Sequence, residues 1–144
     1  MKATRLDPGA LSDLATKLAD AGLPIADLAE AGRIFFRFDD DRLAGYGGLE
    51  GEGADRLLRS LVVAPDRRRE GVGRIMLAVL EQEAAVLGVG RLHLLTTTAA
   101  EFFKGNGYAA ADRLTAPVSI AASCEFTALC PTSAAYLVKT LDPA

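Results

Sequence analysis

Leu57-Leu58-Arg59-Ser60-Leu61-Val62-Val63-Ala64-Pro65-Asp66-Arg67-Arg68-Arg69-Glu70-Gly71-Val72-Gly73 is the stretch that decides the fold. Its apolar first half, with a β-branched end, reads as a central strand covered on both faces, running from Arg56 to Val63. Pro65 stops it, because proline has no N–H to give to a ladder. Gly71 and Gly73 lack a Cβ, so the main chain there turns sharply and aims N–H groups outward. Ile75, Met76, Val79, Leu80 and Leu87 then recur at the helical period until Gly88 and Gly90 end them. A helix that begins on such a loop offers it unpaired N–H groups and the positive end of its dipole. With Arg68, Arg69 and Arg74 adding charge, the segment is suited to hold a diphosphate.

The order of elements extends outward from there. Arg91 to Leu95 is the next strand, and a strand, helix, strand run joined by short turns predicts a right-handed crossover with the two strands parallel. Upstream, Ile34, Phe36 and Phe38 alternate before the acidic turn Asp39-Asp40-Asp41, and Leu43 to Leu49 returns as the second arm of a hairpin. Residues 1–6 make a short first strand. Leu11, Leu14, Leu18 and Ala21 mark a helix ended by Gly22, and a second short helix runs from Pro24 through Leu28 to Gly32. Downstream, Ala99 to Lys104 reads as a short helix, Tyr108 to Ala110 begins a strand, Val118 to Ala122 is a helical turn, and Ala135 to Leu141 is the last strand.

Composition narrows the class. The chain has 144 residues, half of them hydrophobic, with a net charge of −3. That length suits one domain over residues 1–144, and no apolar run approaches the ~18 residues that cross a bilayer. No apolar stretch follows the basic residues at the start, so the expectation is a soluble, cytoplasmic protein with no membrane partner. Cys124 and Cys130 lack metal-site spacing and His93 is the single histidine, so no metal is expected and both cysteines are read as free thiols. The acidic balance and the short Arg67–Arg69 run argue against nucleic acid.

Arg68-x-x-Gly71-x-Gly73 after Leu61-Val62-Val63-Ala64-Pro65 resembles the central strand and pyrophosphate loop of the GNAT superfamily of N-acetyltransferases, and Ala99-x-x-Phe102-Phe103-x-x-x-Gly107-Tyr108 resembles its later helix. The resemblance covers nearly the whole chain. It implies an α/β fold: one mixed, largely antiparallel sheet of six or seven strands, helices on both faces, and a splayed parallel pair forming an acetyl-CoA groove. It implies acetyl-CoA as cosubstrate, held by the strand groups of Leu61, Val62 and Val63, by Arg68, Arg69, Glu70, Gly71, Val72, Gly73 and Arg74, and by Thr98, Phe102 and Phe103. Pantetheine would pair with the splayed strand as an added strand does. The acceptor would be a small-molecule amine, and members of this family often dimerise, which implies a homodimer.

Leu57 to Val63, Leu94-Leu95-Thr96-Thr97-Thr98-Ala99, Ala116-Pro117-x-x-Ile120, and Glu125-Phe126-x-x-Leu129-Cys130-Pro131-x-Ser133-Ala134 are similar to the GNAT proteins of arsenic-resistance operons. That similarity implies an amino-acid-like toxic acceptor, such as an arsenic-containing glutamate analogue. The sequence departs from the family at Phe103, where the helix usually carries a tyrosine whose hydroxyl protonates the leaving thiolate.

Catalytic candidates follow from the chemistry. An ammonium must lose a proton before attack, and Glu50 and Glu52 lie near the hairpin's end, each also readable as a solvated loop acid. Alternation places Arg59 and Ser60 on opposite faces of the strand. Arg59 suits either an acceptor carboxylate or a salt bridge between elements, and Ser60 suits a positioning hydrogen bond better than nucleophilic attack. Thr96, Thr97 and Thr98 line a groove or cap the next helix, with Thr97 a candidate for acceptor binding. His93, between Leu92 and Leu94, reads first as a packed histidine and second as a base. A dinucleotide fold is excluded because Met76 stands where the third glycine belongs. The rival to an enzyme is a non-catalytic acyl-CoA sensor, since the usual tyrosine is missing.

Overall fold

The computed structural model describes residues 1–7, 9, 11–23, 32–123 and 134–142. Seven strands form a single sheet: β1 (Lys2–Arg5), β2 (Arg33–Asp39), β3 (Leu43–Glu50), β4 (Asp55–Val63), β5 (Arg91–Thr96), β6 (Ala109–Ala110) and β7 (Ala135–Thr140), in the order β1-β2-β3-β4-β5-β7-β6. Every neighbouring pair is antiparallel except β4 with β5. The helices are α1 (Ser12–Asp20), α2 (Val72–Val86), α3 (Ala100–Lys104) and α4 (Val118–Ala121). This is the mixed sheet that the sequence predicts, with the hairpin, crossover and last strand in place. The second short helix expected after Leu23, both cysteines and the Glu125–Ser133 stretch lie outside the described residues.

Two cores grip the sheet. On one face Leu49, Leu58, Leu92, Leu94 and Leu137 pack with Met76, Leu77 and Leu80 of α2 and with Phe103 of α3. On the other, Leu14 and Leu18 of α1 meet Phe35, Tyr46 and Val62. The inward stripe of α2 is Val72, Met76, Leu77, Leu80 and Ala84, while Ile75 is 48% and Leu87 40% exposed. This corrects the stripe read from sequence. Val72, Met76, Leu80 and Ala84 recur every fourth residue with Leu77 beside them, and the helical period leaves Ile75 off that stripe.

A bulge in β4 sets everything that follows. Gly48 pairs with Arg59 and Tyr46 with Val62, so Ser60 and Leu61 together face the single residue Gly47. Ser60 takes a φ of +61°, rare for a residue with a side chain. The extra residue inverts the facing of the strand. Leu58 belongs to the α2 core and Val62 to the α1 core, although four positions, an even number, separate them.

Among the described residues no helix is long and apolar enough to cross a membrane, and no group of three or more His, Cys, Asp or Glu side chains is placed to hold a metal ion.

Candidate active site

The parallel ladder between β4 and β5 covers only Asp55 with Arg91, Arg56 with Leu92, and Leu57 with His93. Past that point each strand keeps its outer partner, β3 to Val63 and β7 to Thr96, but the two no longer pair with each other. The bulge at Ser60 and Leu61 follows a few residues past the end of this ladder, and a bulge bends the strand that carries it. Between the parted strands lies a cleft of about 330 Å³, lined by Leu58 to Val63, Leu94 to Thr96, Thr98, Ala99, Phe103 and Arg68. Its walls carry main-chain groups with no ladder partner across the gap, so an extended chain bearing amides is the shape it accepts.

The cleft runs into a second hollow of about 290 Å³ over the glycine loop, and Val63 and Arg68 line both. Gly71 caps α2 with a φ of +79° and open space where a Cβ would stand. Gly73 serves differently from the sharp turn expected of it. It lies in the first turn of the helix, and a Cβ there would come within 3.3 Å of Val63 Cγ2 and 3.7 Å of Phe102 Cε1. Its smallness lets the helix start approach the end of β4. The first N–H groups of α2 have no partner within the helix and open on this hollow. Arg68, Arg69 and Arg74 are solvent-exposed around it, Arg69 at a φ of +70°.

Not every residue of the loop faces the same way. Val72 is buried in the core, so only its main chain is available to a ligand. Glu70 is turned aside: its Oε1 accepts from Arg67 Nε at 2.9 Å and its Oε2 from Arg42 Nη2 at 3.1 Å. Phe102, 37% exposed, covers the hollow, and Phe103 is buried edge-on against Tyr108 with centroids 5.4 Å apart while still lining the cleft. Burial, and then the Glu81 carboxylate that accepts from its hydroxyl at 2.8 Å, push the Tyr108 phenol far above its usual range.

On the α1 side of the cleft the bulge brings Arg59 and Ser60 together, against the alternation read from sequence. Arg59 Nε donates to Ser60 Oγ at 3.3 Å, and both residues line the cleft. Arg59 Nη1 donates to Glu50 Oε1 at 2.9 Å in a fully buried pair, with Arg33 Nε 3.7 Å from the same oxygen. Glu50 therefore stands behind Arg59 and reaches the cleft through it. Glu52 is an exposed loop residue. Thr96 Oγ1 accepts from the N–H of Ala99 at 3.0 Å and closes the turn into α3. Thr98 lines the cleft, whereas Thr97 is exposed and outside its lining, because the turn points it to solvent.

His93 is buried at the point where the strands part. Its Nδ1 lies 2.7 Å from the Tyr136 hydroxyl and its Nε2 2.7 Å from Asp55 Oδ1. Burial pushes the Asp55 carboxyl up, but hydrogen bonds from His93 and Arg91 outweigh it and hold the group below its usual range. No local pattern marks this chain of three, since its members come from three different strands.

Known structures share this architecture. Tetrahymena GCN5 superposes with a TM-score of 0.80 at 12% identity, covering 100% of this chain and 98% of that one. N-acetylglutamate synthase from Neisseria gonorrhoeae, complexed with coenzyme A and L-arginine, gives 0.75 at 20% identity over 97% of this chain, which spans only 33% of the synthase. The ribosomal-protein-S18-alanine N-acetyltransferase from Escherichia coli gives 0.68 at 18% identity, covering 99% and 95% of the two chains. No curated protein matches the sequence. The family model described as the acetyltransferase (GNAT) domain matches residues 30–110, which hold the hairpin, the parted strands, the glycine loop and α3. The chain belongs to the GNAT acetyltransferase domain family.

Proposed function

We propose that this protein transfers an acetyl group from acetyl-CoA to the amine of a small, amino-acid-like molecule. The observation that carries this is the cleft between parted strands opening directly onto an arginine-flanked glycine loop at a helix start. Acetyl-CoA is the ligand with that outline: an amide-bearing arm for the cleft and a diphosphate for the loop. Main-chain groups of Leu61, Val62 and Val63 pair with pantetheine. N–H groups from Arg69 to Arg74 and the side chains of Arg68, Arg69 and Arg74 take the diphosphate, each donor to a charged oxygen being stronger than a neutral one. Phe102, Phe103 and Thr98 flank the arm. The gonococcal synthase, of the same fold, holds coenzyme A.

The thioester supplies the chemistry, and the protein brings an amine to its carbonyl. Arg59 orients the acceptor by pairing with the acceptor's carboxylate, Ser60 and Glu50 fix Arg59, and solvent takes the amine's proton. With Phe103 in place of a tyrosine, the thiolate leaves without a protein acid, which a thiol pKa near ~8.5 permits. An arsenic-containing glutamate analogue is the acceptor that the sequence similarity favours.

Two measurements test this. Acetyl-CoA is expected to bind and raise the melting temperature, and free CoA is expected to appear with acetyl-CoA and a panel of amino-acid analogues that includes arsenicals. Binding without any acetyl transfer would favour an acyl-CoA sensor, and absence of binding would refute both.

A further inference from the structure

In the run Arg67 to Arg69 the first arginine alone is buried, only 4% exposed, and although it helps line the hollow its guanidinium is bound to carboxylates. Its guanidinium spans two carboxylates. Nη1 and Nη2 donate to Asp40 Oδ1 and Oδ2 at 2.8 and 2.5 Å, and Nε donates to Glu70 Oε1 at 2.9 Å. Nη1 also leans on the carbonyls of Arg42 and Leu43 at 3.4 Å, so the glycine loop is tied to the turn between β2 and β3. Hydrogen bonds from Arg67 hold the Asp40 carboxyl well below its usual range. Arg42 completes the cluster, reaching Glu70 Oε2 at 3.1 Å and Asp66 Oδ2 at 3.4 Å.

The charges of the loop are thereby sorted. Arg42 and Arg67 are matched with Asp40, Asp66 and Glu70 on the turn side, while Arg68, Arg69 and Arg74 make no ion pair among the described residues. Glu70 directly precedes the residue that caps α2. A carboxylate at that position, left untethered, is drawn to the same N–H groups that a phosphate would use, and it repels a phosphate that is already there.

We infer that Arg67 is a positioning residue for diphosphate binding: it holds the Glu70 carboxylate on the turn side and so keeps the start of α2 open to the ligand's phosphates. The inference rests on the diphosphate role of the loop proposed above. An arginine is required because only its planar fork reaches Asp40 with two nitrogens and Glu70 with the third.

Titration of CoA by calorimetry into wild type, Arg67→Met, Glu70→Gln and the double variant tests it. Arg67→Met is expected to weaken CoA about tenfold when residue 70 is glutamate, and about threefold or less when it is glutamine. Apo melting temperatures show whether each variant folds, and Arg67→Lys, which keeps charge without the fork, replaces Arg67→Met in the cycle if that variant does not fold. An equal loss in both backgrounds would make Arg67 a structural tie only, and no loss in either would overturn the inference outright. A wild type that does not bind CoA would instead remove the diphosphate role itself.

Discussion

Gly73 lies so close to Val63 that a Cβ on it would stand 3.3 Å from Val63 Cγ2, with Phe102 only a few tenths of an ångström further off. The contact joins the end of the central strand to the start of α2 and so fixes where cleft and loop meet. A branched side chain there has to push α2 or Phe102 aside. Gly73→Val is expected to cost about 1–3 kcal/mol of stability and to weaken CoA at least tenfold, read by denaturant unfolding and calorimetry.

Gly71 raises a different demand, on backbone rather than space. Its φ of +79° is one that a β-branched residue resists, although nothing lies within 4 Å of a built Cβ. Gly71→Val is expected to cost about 1–2 kcal/mol and to abolish the thermal shift on adding CoA, whereas Gly71→Asn, which tolerates left-handed backbone, keeps most of both.

The buried pair of Glu50 with Arg59 predicts an asymmetric response. Removing the carboxylate leaves a fully buried guanidinium short of its counter-charge, so Glu50→Ala is expected to destabilise by about 3 kcal/mol. Glu50→Gln keeps an acceptor oxygen and is expected to cost less, while slowing acetyl transfer. Urea unfolding separates the two variants, and CoA release reads the rate.

Acid sensitivity follows from Asp55. Its carboxyl is held below the usual value in the folded protein, so the stabilisation is present above the unfolded pKa of about 3.9 and is lost as pH falls through the folded value. Asp55→Asn is expected to be less stable than wild type at pH 7, with the gap closing below about pH 4. Urea midpoints measured from pH 3 to pH 7 check the sign, and a gap that widens in acid would contradict it.

Much of this was legible in the sequence because strong local signals agree. Pro65, the glycines of the loop and the apolar period after it mark strand, turn and helix without help from the rest of the chain. The hairpin across Asp39-Asp40-Asp41 is equally local. The facing of Arg59 and Ser60 was not legible, because period-two alternation assumes a regular strand and the bulge depends on what β3 presents. Arg67 and Arg68 read alike in a row of arginines; only the turn carrying Asp40 separates a buried tie from a ligand-facing charge. Ile75 and Leu77 are both apolar, and which of them faces the sheet is decided by how α2 packs on it.

The central claim is that the parted strands and the glycine loop together hold acetyl-CoA, and a crystal structure with CoA bound tests it most directly. The diphosphate is expected against the N–H groups between Arg69 and Arg74, with pantetheine lying between β4 and β5 alongside Leu61 to Val63. Phosphates bound elsewhere on the protein, or a cleft that stays empty at saturating CoA, would contradict it.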